Sequence, residues 1–550
     1  MVRDALTSLS LLIVVAGCGA APPPCPVVPL AVLAPAPQPA ATPPVDAVIH
    51  ARGAAAEASD IGFAVRLRPF ANLAYHLDCL SGGVHCSPEA IHALWDAGWT
   101  ADDATRLAEW KAVHDRYQAS FDLVGTEPKS ARPPEVPLPH AGVDFDALLR
   151  LASLVSETPA EYRENLRVLL HPDAADRVAR AAEHFWPRFQ TFWTTRGGAD
   201  GAGFKKGLEA LFARGELPAI LARAVKFYAA PIAPGTVIDL DLIVLPAPST
   251  HTSAEQLVSH GVIEVVPGER PEDRMDVVCH ELFHFFYNTR TPEQQLALLR
   301  RFASSNDPLA MLAYALLDES VATALGNRVV NREVNPPDYA RRLARDKGFY
   351  NVHSIDATAK GLLSRTGDDP TRKSALDSDE TVAAVIAATR DAVGADPPPL
   401  EYLRSFTRAS EPGWWKTAMA ATLARAHGNN TYDHERVDSA DAVTMVTEHP
   451  LLPAVLLVSR AKLGALALYG DAIPKAARAG LARESKKPGA FAYAVRRSPQ
   501  SWLFVLVADS AEDARAVADG FFAAPHVTAG VYRVPRVQPG PVAATAPARH

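Results

Sequence analysis

Between residues 280 and 284 the chain reads HELFH, so two histidines and a glutamate stand close together in the sequence. Residues 275–288 have the apolar spacing of a helix that buries one face. On such a helix His280 and His284 lie one turn apart on the same side, where two neutral imidazoles can bind one zinc ion. Glu281 lies about 100° around the helix from His280, so it can act as a general base without ligating the metal. The alternative is a core helix whose histidines make ordinary hydrogen bonds.

A catalytic zinc site needs three protein ligands, so a third donor must come from elsewhere in the chain. The pattern that continues with a glycine and a third histidine is absent, because Tyr287 and Arg290 occupy those positions. Residues 316–326 have a helical pattern that places small side chains on the same face as Glu319. Such a helix can pack closely against the first, and we therefore predict Glu319 as the third ligand. Asp318 is the competing candidate.

These residues resemble the active site of the gluzincin group of zinc metallopeptidases. The resemblance covers residues 237–330 and rests on the HELFH segment and Glu319. It implies a Zn²⁺ cofactor, a peptide or protein substrate, and a core with an edge strand, a HExxH helix and a glutamate helix. Thermolysin-like members carry an aspartate four residues after the third ligand, whereas this chain has Thr323, so no subfamily is assigned.

The segment GVIEVV at residues 261–266 is similar to the edge strand that precedes the active-site helix in this group. An exposed strand edge can pair with an extended peptide, so we expect Val262, Ile263 and Glu264 to bind the substrate. The sequence therefore predicts that a peptide adds to the sheet directly before the metal helix.

Metal-assisted hydrolysis is the reaction that these residues favour, with Glu281 taking a proton from water and returning it to the leaving amine. The oxyanion needs a donor, and family members often supply a tyrosine or a histidine from a segment after the third ligand. We predict Tyr350 for this catalytic role, with Tyr287 and His353 as alternatives. Two other functions stay open: a catalytically inactive zinc-binding envelope protein, and a zinc hydrolase of a non-peptide bond.

The first residues of the chain indicate export. An apolar run at residues 9–16 is too short to span a bilayer, and the sequence VAGC follows at its end. This resembles a bacterial lipobox, which implies that Cys18 is lipidated and anchors the protein in the cell envelope, in the periplasm or at the outer membrane. An ordinary secretory signal or an uncleaved apolar start is the alternative. Residues 19–45 are rich in proline and alanine, which predicts an extended tether.

The cysteines and the net charge limit the remaining possibilities. Cys79 and Cys86 are close in sequence, and in an exported protein we expect them to form a disulfide. A zinc site made by this pair with His85 is less favoured, because the spacing fits no common template. Cys279 is expected to be a buried apolar filler. The net charge of −7 gives no electrostatic case for binding nucleic acid.

A chain of 550 residues allows roughly two to four domains. The predicted fold class is α+β and predominantly helical, with a gluzincin-like catalytic core and a small α+β C-terminal unit. The predicted order is a lipoprotein signal peptide (1–18), a tether (19–45), a helical N-terminal region (46–236), a zinc metallopeptidase-like core (237–370), a helical region (371–487), a small α+β unit (488–535) and a disordered tail (536–550).

Overall fold

The computed structural model describes residues 49–50, 61–84, 86–116, 120–122, 142–250, 252–345, 348–426, 430–434 and 436–533. The predicted signal peptide, Cys18, the tether and the C-terminal tail lie outside these residues. The described chain is α+β and mostly helical, as the sequence predicts. Within these ranges no helix is long and apolar enough to cross a membrane.

The α-helices follow in chain order: α1 (Pro69–Ser81), α2 (Pro88–Trp95), α3 (Ala101–Arg116), α4 (Phe145–Leu154), α5 (Pro159–Leu169), α6 (Pro172–Phe192), α7 (Gly198–Phe212), α8 (Leu217–Tyr228), α9 (Met275–Asn288), α10 (Pro292–Ala303), α11 (Ala310–Ala322), α12 (Asn331–Val334), α13 (Pro336–Leu343), α14 (His353–Thr366), α15 (Asp379–Val393), α16 (Trp414–Ala426), α17 (Ala440–Glu448), α18 (Lys475–Glu484) and α19 (Ala511–Phe522). Other helical stretches are π-helical at Trp193–Gly197 and Thr323–Val330, and 3₁₀-helical at Pro271–Asp273, Pro370–Arg372, Pro399–Arg404 and Arg460–Ala472.

The strands are β1 (Ile49–His50), β2 (Gly62–Arg66), β3 (Ser120–Asp122), β4 (Gly142–Asp144), β5 (Val237–Val244), β6 (Ala254–Leu257), β7 (His260–Val265), β8 (Ser405–Ser410), β9 (Asn430–His434), β10 (Ala454–Ser459), β11 (Phe491–Ser498), β12 (Ser501–Ala508) and β13 (Gly530–Tyr532). They form two larger sheets and the small pair β3-β4.

The first sheet lies beside α9, the helix that contains the HELFH segment. Its strand order is β1-β2-β5-β7-β6. Strands β2, β5 and β7 run parallel, whereas β6 pairs antiparallel with β7 and is the outermost strand on that side. Every residue of β7 is buried, as expected for a strand covered on both faces.

The boundary predicted between residues 236 and 237 does not separate two domains. Strand β2 precedes that boundary and pairs with β5, matching Gly62 to Val237. One hydrophobic cluster also extends through both regions, with members from Ile61 to Leu452. The four buried residues of β2 lie on both of its faces, and no pattern in this short segment identifies its partner strand, so the pairing could not be predicted from the sequence.

The second sheet has the order β13-β11-β12-β10-β8-β9, with β12, β10, β8 and β9 parallel. Alternate residues of its strands point to opposite faces. Val455 and Leu457 belong to one hydrophobic cluster, which α16 and α19 cover, while Leu456 and Val458 belong to another, which α17 and α18 cover. The sheet is therefore the centre of a three-layer unit.

This unit is larger than the sequence predicts. Strands β8, β9 and β10 fall within residues 371–487, where helix is predicted, and the predicted start at residue 488 lies between α18 and β11. The error has a physical reason, since a short apolar run such as AVLLVS in β10 has the same pattern in a buried strand and in a buried helix.

Candidate metal centre

The HELFH segment lies in the middle of α9, whose two sides have different surroundings. Val278, Leu282 and Phe286 are buried in the hydrophobic cluster, together with Cys279, the expected apolar filler. The other side packs against a continuous helix at residues 310–334, formed by α11, the π-helical stretch and α12. The apolar face of α9 thus fixes the direction in which its polar side chains point.

His280, His284 and Glu319 come together between these two helices. The Nε2 atoms of the two imidazoles are 3.0 Å apart. Glu319 places Oε2 at 3.5 Å from His280 Nε2 and Oε1 at 3.7 Å from His284 Nε2. One ligand atom from each residue lies within 4.8 Å of the others, so the three side chains could hold a metal ion.

The hydrogen bonding of this group also fits a metal ion. Glu319 Oε2 is buried and accepts no hydrogen bond from any described residue. Because a neutral imidazole carries only one N–H, a ring whose Nδ1 holds the hydrogen directs a lone pair from Nε2 into the group. A buried carboxylate oxygen without a donor is unfavourable unless another ligand satisfies it.

The far nitrogen of each imidazole has a partner of its own. His284 Nδ1 lies 2.9 Å from Asp318 Oδ1, and His280 Nδ1 lies 2.9 Å from Asn327 Oδ1. Asp318, the competing candidate for third ligand, therefore contacts the opposite side of the His284 ring from Glu319. Adjacent helical residues point about 100° apart, which explains why these two carboxylates reach different atoms. Sequence reasoning missed Asn327, because no motif or spacing marks it.

Gly326 is a point of very close approach between the two helices. A Cβ at this position would lie 2.7 Å from the backbone nitrogen of His280 and 2.9 Å from the carbonyl oxygen of Asp276. Ala322 and Thr323 on the same helix are completely buried. The small residues that predict close packing of the glutamate helix do permit it, and at Gly326 only glycine fits.

The charged groups of the site stabilise one another. Burial lowers the pKa of His284, but the carboxylates of Asp318 and Glu319 outweigh burial and raise the pKa to about 10. Burial raises the pKa of Glu319, but the nearby imidazoles of His284 and His280 outweigh burial and lower the pKa to about 2. Glu319 is therefore held as a carboxylate, which is the form that ligates a metal.

Glu281 lies beside this group but outside the set of side chains that could ligate one ion. Its side chain is half-buried. Burial raises the pKa of its carboxyl, and the charges of His284 and His280 oppose that effect without cancelling it. A carboxyl group with a raised pKa is suited to accepting and releasing a proton near neutral pH.

Tyr350 lies directly against the site. Its ring stacks on the imidazole of His280, with centroids 5.8 Å apart and an angle of 16° between the planes. Burial, the charge of Glu319 and a hydrogen bond to that carboxylate raise the pKa of the hydroxyl, which therefore keeps its proton. Of the alternatives, Tyr287 is buried in the hydrophobic cluster and His353 is exposed at the start of α14.

The predicted substrate strand does not lie at a sheet edge. Residues 261–266 overlap β7, which pairs with β5 on one side and with β6 on the other. Val262, Ile263 and Glu264 therefore cannot pair with a peptide, and that prediction is wrong. The resemblance of this segment to an edge strand suggested exposure, but here the carboxylate of Glu264 is fully buried and hydrogen-bonded.

Glu264 holds three segments together. Its carboxylate accepts hydrogen bonds from Ser87 N at 3.0 Å, from Ser87 Oγ at 2.6 Å and from Ser253 N at 2.6 Å, and also one from a tyrosine hydroxyl. Ser87 directly follows Cys86, and the structure joins Cys86 to Cys79 by a disulfide. The carboxylate thus ties the disulfide loop to β7 and to the residue before β6.

Comparison of the chain with known protein families, with curated proteins and with solved structures finds no match. The resemblance to gluzincins thus rests on the HELFH segment and Glu319. The geometry of the site, and not similarity to a known protein, is therefore the basis for assigning a function.

Proposed function

We propose that this chain is a zinc-dependent hydrolase and, within that class, a membrane-anchored metallopeptidase. The observation that carries the proposal is the convergence of His280, His284 and Glu319, with Glu281 beside them. Structural zinc sites usually have four protein ligands, whereas catalytic sites have three and keep one position for water or substrate. A catalytic site has this composition, with three ligands and a neighbouring carboxylate that does not bind the metal.

Zinc is the metal that this donor set favours. Two imidazole nitrogens and one carboxylate oxygen form a common ligand set of catalytic zinc sites. His280 and His284 would bind through Nε2, and Glu319 through its carboxylate. When bound, zinc polarises a carbonyl oxygen and lowers the pKa of a water molecule toward about 7.

Two further side chains would handle protons. Glu281 would take a proton from the attacking water and return it to the leaving amine. Tyr350 would donate a hydrogen bond from its protonated hydroxyl to the oxyanion that develops on the scissile carbonyl. Burial raises the pKa of both groups, which makes the Glu281 carboxylate a stronger proton acceptor and keeps the Tyr350 hydroxyl protonated.

A peptide substrate would bind along β6 and not along β7. Strand β6 is the outermost strand on that side of the described sheet, and an outer strand presents N–H and C=O groups that can pair with an extended chain. Asn288, at the end of α9, donates a hydrogen bond of 3.1 Å to Gln256 in β6. This contact connects the substrate-pairing strand to the helix that carries the metal ligands.

The test combines metal analysis with a peptide-library cleavage screen. Wild-type protein should contain about one zinc per chain and cleave peptides. His280→Ala should lose the metal, whereas Glu281→Gln should keep it and cleave about 10² times more slowly or worse. The control is His526→Ala, which removes an exposed histidine of the C-terminal unit and should change neither property.

Full zinc occupancy in His280→Ala, or full activity in Glu281→Gln, would refute the proposal. Zinc bound without cleavage of any peptide would favour one of the other two functions, an inactive zinc-binding protein or a hydrolase of another bond. Anchoring through Cys18 belongs to the same proposal. Cys18→Ser should move the protein out of the membrane fraction, and unchanged fractionation would exclude the anchor.

A further inference from the structure

Asn327 stands behind His280 in a position that the proposed function does not explain. We propose that Asn327, held by Asp276 and Arg342, is a positioning residue that makes Nε2 the metal-binding atom of His280. The inference rests on the proposed metal site and adds to it the group that sets the hydrogen position of one ligand.

Two hydrogen bonds to Asp276 fix the orientation of the Asn327 amide. Arg342 Nη1 donates to Asp276 Oδ2 at 3.0 Å, and Asn327 Nδ2 donates to the same oxygen at 3.2 Å. Asn327 and Asp276 are only 5% and 2% exposed, so water does not replace these partners. The reverse orientation would place the amide oxygen against a carboxylate oxygen, two acceptors without a hydrogen between them. The amide nitrogen therefore faces Asp276.

The orientation of the amide determines where His280 carries its hydrogen. Because Nδ2 of Asn327 donates to Asp276, the other atom of the amide, Oδ1, faces His280 Nδ1 at a distance of 2.9 Å. An amide oxygen can only accept, so Nδ1 must be the donor and hold the hydrogen. Nε2 of the neutral ring then has its lone pair free, on the side of Glu319 and His284. This is the tautomer that a metal needs, and hydrogen bonds to the far nitrogen are a common way to select it.

The π-helical stretch explains why the side chain of Asn327 can contact His280. Asn327 follows Glu319 by eight positions, and in a regular α-helix these two side chains would point about 80° apart. The stretch Thr323–Val330 has wider turns, in which each residue advances by a smaller angle, and this brings Asn327 back toward the face of Glu319. Both residues can then contact the same imidazole, one at each ring nitrogen.

Zinc affinity tests the proposal, measured by chelator competition on the full-length protein. Asn327→Leu keeps the approximate size but cannot accept a hydrogen bond, and it should weaken zinc binding by about 10–100-fold. The double variant Asn327→Asp with Asp276→Asn restores an acceptor toward His280 and a donor toward residue 327. It should recover part of the affinity, because the new amide nitrogen also faces Arg342 Nη1, which loses an acceptor. Asn331→Leu is the matched control, because Asn331 is equally buried on the same helix but donates to Asp338.

A second readout separates positioning from simple damage. The visible spectrum of the Co²⁺-substituted protein reports the ligand geometry, and it should change in Asn327→Leu and return toward wild type in the double variant. Arg342→Met changes the partly exposed end of the same chain and provides a milder variant if Asn327→Leu does not fold; it should weaken zinc binding in the same direction.

Wild-type zinc affinity in Asn327→Leu overturns this inference alone. An equal loss of affinity in Asn331→Leu, or no recovery in the double variant, also overturns it, because the effect would then be general disruption. Wild-type protein that binds no zinc overturns both the inference and the proposed function.

Discussion

Gly326→Ala perturbs the metal centre without replacing any of the proposed ligands. The added Cβ would lie 2.7 Å from His280 N, 2.8 Å from His280 Cα and 2.9 Å from Asp276 O. Non-bonded heavy atoms pack best at about 3.5–4.0 Å, so α9 and the π-helical stretch would have to separate by roughly 1 Å. All three contacts are with backbone atoms, and no side-chain rotation can relieve them.

The separation would move His280 relative to Glu319. Metal–ligand distances are held to about 0.2 Å, so a shift of this size disturbs the group. We expect zinc to bind at least about tenfold more weakly, which is the effect of losing support behind a ligand. Overpacking of the helix interface should also lower the free energy of unfolding of the metal-free protein by about 1–3 kcal/mol.

Chelator competition measures the affinity, and denaturant unfolding without metal measures the stability. Gly203→Ala is the matched control, because Gly203 is an exposed residue of α7 and a Cβ there meets nothing within 4 Å. Replacing this glycine should raise the free energy of unfolding by about 0.4–1 kcal/mol. The reasoning is refuted if Gly326→Ala is as stable as Gly203→Ala and binds zinc like the wild type.

Three further predictions concern stability away from the ligands. Replacing Cys79 and Cys86 by serine should lower the free energy of unfolding by about 2–3 kcal/mol, measured with denaturant, because the short loop is no longer closed. Glu264→Gln should lower it by about 1–3 kcal/mol, because an amide group would face buried donors that need an acceptor. Burial lowers the pKa of His114, but nearby carboxylates, including its partner Asp146, outweigh burial and raise it. Protonated His114 therefore stabilises the folded protein. This contribution to the free energy of unfolding is complete below pH of about 6.5 and is lost as pH rises through the raised pKa. Denaturant unfolding at successive pH values should show this decline in stability in the wild type but not in His114→Gln.

Each of these predictions has a control. If the disulfide accounts for the difference in stability, reductant should lower the free energy of unfolding of the wild type but have no effect on the serine variant of Cys79 and Cys86. Glu448→Gln changes an exposed glutamate and should shift stability by less than about 0.5 kcal/mol, so an equal loss there would contradict the role of Glu264. A pH profile of His114→Gln that follows the wild type would show that this histidine does not contribute.

The local part of the metal centre could be predicted from the sequence. His280 and His284 meet on any helix that includes both, because their spacing is one turn. The position of Glu319 depends on how two helices pack against each other. The small residues near it, above all Gly326, indicated in the sequence that these helices pack closely. The role of Asn327 could not be predicted, because it depends on a π-helical stretch that changes the angle per residue and has no sequence pattern.

For several strands neither the presence nor the arrangement could be predicted, since β2, β8, β9 and β10 all lie in regions predicted to be helical. The segment at residues 261–266 is a strand, but its place in the sheet depends on β5 and β6, and no local pattern specifies that it pairs with both. The resemblance of this segment to an edge strand misled the prediction, because β6 pairs with its outer side and four donors surround the buried carboxylate of Glu264. In the C-terminal unit, β10 is a short apolar run that fits a helix equally well.

The pairing of β2 with β5 has a consequence for how the chain folds. Arg66 and Asp239, which form an ion pair across these strands, are 173 positions apart, so the first sheet closes a very long loop. The entropy of closing a loop grows only with the logarithm of its length, so the effect on final stability is modest. Contacts of such high sequence separation slow folding instead. During synthesis β2 would be complete long before β5, and the sheet that supports α9 would be among the last parts of this region to form.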